Sequence, residues 1–330
     1  LGRYAEAAAI LEQFKTGMDD GTARDLPMRS YAELVEGKLA DKQGNLDQAI
    51  KIFAAVMDNK AYPGKIRDLG RLALARAEIV REKNNPEQAE EETRAQPQEE
   101  EAPHTAGTAE ERLLAFIGGK SESSLLMDAF NILLEEDIFR TNPQALEKLT
   151  GWVNARDAGR QPAAMYAMGS LLLAKDDLAG AVKMAEDGLS KYPQSLPVQT
   201  LSLNTITTLL DKNRVEDAER LISKYPGTSP GLVFQQGALA FRKGDYPLAQ
   251  SLFREAARRA SEKTAESALF NENLAALNAN DAAGAAALVK EAAGSAQLRE
   301  HILFEQAHYA AKRMNPQACL LYTSDAADEL

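Results

Sequence analysis

Cysteine is almost absent from this 330-residue chain: Cys319 stands alone, so no internal disulfide can form. Histidine is scarce as well. Three residues leave little material for a His/Cys metal site. Aromatics make up 6% of the chain, with one Trp. No apolar run approaches the ~18 residues that a membrane span needs. No H-E-x-x-H pattern occurs. What is abundant is Ala, 57 of 330 residues, together with Glu, Leu and Lys and few β-branched side chains, a composition that favours helix.

An initiator Met is missing too. Leu1 already lies in a helical pattern, so the sequence reads as cut at its front and a leader would be invisible. The compartment stays open between cytoplasm and periplasm. At the other end, Cys319–Glu329 resembles a translated sequencing adapter, and residues 319–330 are set aside as non-biological. Basic excess is also lacking. Residues 84–111 hold nine Glu against one Arg, a net of −8, and the tail adds −3, which accounts for the whole formal charge of −11. The remainder is neutral and carries no bulk electrostatic footprint for nucleic acid. From Gln96 to Thr108 the chain has Pro97, Pro103, Gly107 and the Glu99–Glu101 run with almost nothing apolar, which predicts an acidic flexible linker.

Three stretches share one spacing. Gly37, Gly169 and Gly237 are each followed seven residues later by a turn residue, Gly44, Asp176 and Gly244. A large apolar residue comes two further on (Leu46, Leu178, Tyr246), and an Ala three beyond that (Ala49, Ala181, Ala249). Ala218 after Asn213 and Ala285 after Asn280 continue the series. A small residue lets two helices approach closely, and a turn Gly or Asn accepts φ > 0 where other residues are strained. Apolar residues at i, i+3, i+4 and i+7 give each helix one buried face, and stacked helix pairs close a core that one pair cannot.

This pattern resembles the tetratricopeptide repeat family, in which two antiparallel helices, A and B, recur about every 34 residues. Pro193 matches the closing proline; Met165, Glu33 and Glu36 depart from the family's large apolar positions. The resemblance implies an all-α, right-handed α-solenoid of tetratricopeptide-type hairpins. The expected organisation is a helical block over 1–95, the linker over 96–108, and a second array over 109–318. Fainter pairs fill the gaps. Leu1–Ala7 fits the turn and helix B of a repeat cut off at the front, Ile66–Lys83 is a helix A, and Asn85–Ala89 opens its partner. Ser124–Phe139 and Pro143–Asp157 form a degenerate pair with Asn142 as N-cap. Thr108–Glu111 is a capping box. His301–Arg313 is a last helix A.

Candidate chemistry is sparse. His301, Glu305 and His308 share a helix face, but two imidazoles seven residues apart span about 10.5 Å of helix rise and lack a fourth ligand. Glu135, Glu136 and Asp137 are adjacent and point different ways on a helix. Gly118–Ser121 lacks the first glycine and the preceding strand of a phosphate loop. No catalytic residue, metal or cofactor is expected. In the resembled family helix A lines a concave face, and the inward positions here are Tyr166, Leu173, Leu203, Leu210, Phe234, Phe241, Phe270 and Leu277. The stripe reads either as core or as a groove for an apolar or amphipathic peptide. The lysines and arginines that grip an acidic peptide end are not at these positions. The expected role is a non-catalytic protein-interaction scaffold. The alternative is an accessory region of a truncated multidomain enzyme or cell-envelope assembly protein whose active domain lies elsewhere.

Overall fold

A computed structural model describes residues 2–17, 26–85, 107–119 and 123–312. Most of the acidic stretch, the partner helix expected from Asn85 onward, Lys120, Ser121 and the adapter-like tail with Cys319 lie outside the described residues. Among the described residues there is helix and no strand, and helices pack chiefly against their neighbours in the chain. The chain forms two compact units, Leu1–Met168 and Gly169–Leu330.

The first unit runs through α1 (Gly2–Thr16), α2 (Leu26–Lys42), α3 (Leu46–Asp58), α4 (Gly64–Asn84), α5 (Ala109–Gly119), α6 (Ser123–Glu135), α7 (Ile138–Thr141), α8 (Pro143–Asn154) and the first part of α9 (Gln161–Ala174). Its α2–α3 hairpin closes on a glycine. A Cβ on Gly37 would collide with the Phe53 ring, so only glycine lets these helices meet around that buried ring. Leu34, Phe53, Met57 and Leu74 join α2, α3 and α4 in one core. Helix α5 packs on α4, tied by the Arg112–Glu78 ion pair. Its start is a reciprocal capping box: the Thr108 N–H donates to Glu111 Oε2 at 3.0 Å and the Glu111 N–H to Thr108 Oγ1 at 3.2 Å. The single helix expected over 124–139 is interrupted. Asp137 takes φ 58°, ending α6 and starting the short α7, whose Phe139 packs 6.2 Å from Phe130. Asn142 caps α8 as its sequence predicts, accepting from the Gln144 and Ala145 amides.

The second unit holds the end of α9, then α10 (Leu178–Lys191), α11 (Leu196–Asp211), α12 (Val215–Lys224), α13 (Pro230–Arg242), α14 (Tyr246–Arg259), α15 (Glu262–Asn278), α16 (Ala282–Glu291), a 3-10 turn (Ala292–Gly294) and α17 (Ala296–Lys312). Four turns here, at Asp176, Asn213, Gly244 and Asn280, and the one at Gly44 in the first unit are built alike. Each carries positive φ at the residue chosen by the repeat spacing. In each, the next amide reaches back five residues: Asn45 to Ala40, Asp177 to Leu172, Arg214 to Leu209, Asp245 to Ala240 and Asp281 to Ala276, at 2.7–3.0 Å. This left-handed closure satisfies carbonyls at the end of one helix. Asn45, Asp177, Asp245 and Asp281 then cap the start of the following helix. The neighbour-to-neighbour packing of such pairs is consistent with an α-solenoid. No helix among the described residues is long and apolar enough to cross a membrane.

Candidate functional site

The eight inward positions do not share one environment. Tyr166 sits in the first unit, half-buried, where its hydroxyl donates to Asn131 Oδ1 at 2.9 Å. The other seven belong to the second unit. Leu210 is buried at 3% exposure and belongs to the core. Leu173, Leu203, Phe234, Phe241, Phe270 and Leu277 are partly buried, and Phe234, Phe241 and Phe270 pack against the core.

Their inner contacts are specific. The end of Leu203 fills the space above Gly231 on α13, with Cδ1 3.0 Å from where a Cβ there would stand. Phe234 meets the buried Phe253 ring edge-on at 5.3 Å, and Phe241 meets Tyr246 likewise at 5.3 Å. Phe270 lies edge-on to His301 at 6.4 Å. Beside that last pair a cavity of about 390 Å³ opens between α15 and α17. Phe270 and Leu298 are its apolar lining; Ser267, Asn271, Gln297 and His301 line it with polar groups, and Lys263 and Glu266 with charged ones. An apolar surface bordered by amides, an imidazole and a Lys and Glu side chain can hold an apolar side chain and pair with polar groups around it.

A polar cluster that the hydrophobic pattern did not reveal lies behind this face. Glu272 is buried, and Arg254 of α14 closes on it with Nε 2.8 Å from both carboxylate oxygens and Nη2 2.5 Å from Oε1. Arg254 Nη1 also donates to Glu291 of α16 at 3.0 Å. Burial pushes the Glu272 carboxyl above its ordinary range despite the guanidinium, whereas the bonds to Glu272 hold the Arg254 proton more firmly. Next to it Asn273, also buried, accepts from Gln306 Nε2 at 2.8 Å, and the same amide group donates to the Ala285 carbonyl. Gln235 of α13 donates to Thr207 of α11 at 2.8 Å. The signal available in the sequence was the polar triplet Asn271–Asn273 inside an otherwise apolar run, with Asn273 seven residues before the turn, where three other repeats carry Gly.

The remaining candidates are dispersed. His301 faces Phe270, while His308 stacks on Phe304 at 6.3 Å, so the two imidazoles serve different rings. Among the described residues no three His, Cys, Asp or Glu side chains converge as metal ligands. Glu136 pairs with Lys83 at 3.0 Å, and Arg76 lies 4.0 Å from both Glu135 and Glu136, so this acidic group bonds the basic side of α4. Gly118 and Gly119 end α5, and the Lys120 and Ser121 of that motif lie outside the described residues. No family model matches the chain, and no curated protein matches it by sequence.

Proposed function

We propose that this chain is a non-catalytic interaction scaffold of the tetratricopeptide type, a right-handed solenoid whose second unit holds a partner segment on the faces of α11, α13, α15 and α17. The partner is an apolar or amphipathic peptide. The observation that carries the reading is the partly buried row of Leu203, Phe234 and Phe270 on successive first helices, with the cavity beside Phe270. Aromatic anchors of this kind supply a disproportionate share of binding energy, often about 2 kcal/mol or more each on truncation. In this reading Gln297 and the Asn271 side-chain oxygen bond the peptide backbone, the Asn271 Nδ2 already donating to the Ser267 carbonyl at 2.8 Å.

The test is selection from a displayed library of amphipathic peptides, followed by titration of the selected peptide against rim and floor variants. Asn271→Ala with Gln297→Ala, and separately Phe270→Ala, are expected to weaken binding at least about tenfold with the helical spectrum retained. A selected peptide that binds all variants equally rules out this face.

A further inference from the structure

The cavity between α15 and α17 sorts its lining by depth. Lys263, Ser267, Gln297 and His301 are exposed, whereas Glu266, Phe270 and Asn271 are partly buried and Leu298 is buried. The deeper charge is therefore negative, and it shares the cavity with an aromatic ring. The Glu266 carboxylate takes part in no ion pair or hydrogen bond among the described residues, and neither does the Lys263 ammonium three residues before it. A carboxylate drawn partly out of water attracts a cation more strongly than one in bulk solvent does.

The neutral polar groups are biased the same way. The Ser267 hydroxyl donates to the Lys263 carbonyl at 3.2 Å, and Asn271 Nδ2 donates to the Ser267 carbonyl at 2.8 Å. Both side chains turn these donors back onto α15, so what Ser267 keeps for a ligand is an acceptor oxygen, and Asn271 keeps its Oδ1. The starts of α15 and α17 favour anions, but that field fades within the first turn. Glu266 and Phe270 lie beyond the first turn of α15, and the Ser295 hydroxyl already accepts from the Leu298 amide of α17 at 3.4 Å. Acceptors beside an aromatic ring select a cation, and among cations the planar guanidinium both stacks on a ring and forks onto a carboxylate. A volume of about 390 Å³ suits one long side chain rather than a whole helix.

We propose that this cavity takes an arginine side chain of the bound peptide, its guanidinium against the Phe270 ring and paired with Glu266, with Ser267 Oγ as a further acceptor. The pocket chemistry stands on its own residues; only the source of the guanidinium, a peptide, rests on the interaction-scaffold reading. The amphipathic partner then carries its arginine at the edge of its apolar stripe.

The experiment follows backbone amide NMR spectra of the full chain during separate titrations with the N-acetyl amides of arginine, glutamine and glutamate. The arginine probe is expected to shift the amides of residues 266–271 and 297–301 saturably at millimolar concentration, and the other two are not. Glu266→Gln is expected to weaken the arginine probe at least about fivefold with the melting temperature unchanged. Phe270→Leu, which keeps an apolar side chain, is expected to weaken it about threefold. Equal shifts from arginine and glutamine, tighter binding of the glutamate probe, or parent-like binding in Glu266→Gln each overturn the proposal. Titration of the selected amphipathic peptide in parallel separates the two readings. Peptide binding with a silent arginine probe overturns the arginine pocket and leaves the peptide face standing. A saturable arginine probe that is lost in Glu266→Gln, with no peptide binding, supports the pocket and overturns the peptide face.

Discussion

At the scale of single residues, repeat geometry turns on a few positions where no other side chain serves as well. A Cβ on Gly237 would stand 2.9 Å from two atoms of the Phe253 ring, which is itself buried. Gly231, in the first turn of α13, would meet the movable end of Leu203 at 3.0 Å. Gly237→Leu is therefore expected to cost about 3 kcal/mol or more through overpacking, and Gly231→Ala under about 1 kcal/mol. Equal urea midpoints for the two variants would contradict the register. The turn residues form a second pair. Gly244 holds φ 79°, so Gly244→Val should cost about 1–2 kcal/mol, while Asn213→Gly, at φ 57°, should be neutral or stabilising by up to about 1 kcal/mol. Thermal melts of the two variants check both signs. These positions were legible in the sequence because left-handed backbone and helix crossings restrict residue type. Asp137 was not, since Asp is common at many sites and its positive φ comes from the turn joining α6 to α7.

At the scale of elements, caps and buried pairs decide how each helix starts and what it packs on. Asp177 accepts from the Gly180 amide at 2.9 Å, so Asp177→Ala should destabilise the second unit by about 1 kcal/mol, read by chemical denaturation. The Glu272–Arg254 pair gives a pH signature. Folding raises the Glu272 carboxyl above its ordinary value of 4.5, chiefly by burial, so the folded protein binds this proton more tightly than the unfolded chain. The contribution of Glu272 to stability is then full below about pH 4.5 and declines as pH rises through the raised value. Relative to the parent, Glu272→Gln should become less unfavourable between pH 4 and pH 7. A stability gap that widens over that range would mean that Arg254 outweighs burial. Capping signals such as Thr108–Glu111 and Asn142–Pro143 could be read directly, because their hydrogen bonds close within three residues. The Glu272 and Asn273 bonds join residues 18 to 33 positions apart, and periodicity alone does not report such pairings.

At the scale of the whole molecule, helix pairs were legible from the recurrence of small, turn and apolar residues, and each unit is assembled from such neighbours. Whether an inward apolar residue is core or surface was not legible. That depends on which neighbouring helix covers it, as Leu210 in the core and partly buried Phe234 on the next first helix illustrate. Phe234 supports Phe253 as well as facing outward, so its truncation mixes lost packing with lost binding. The rim amides Asn271 and Gln297 separate the two effects, because neither belongs to an apolar cluster. The central claim, a peptide-binding face on the first helices of the second unit, is tested most directly by one paired measurement. The selected peptide is titrated against the parent chain and the Asn271→Ala/Gln297→Ala double variant, with melting temperature recorded on the same samples. The account predicts affinity reduced at least about tenfold with the melting temperature unchanged. Undiminished affinity in the double variant would contradict it.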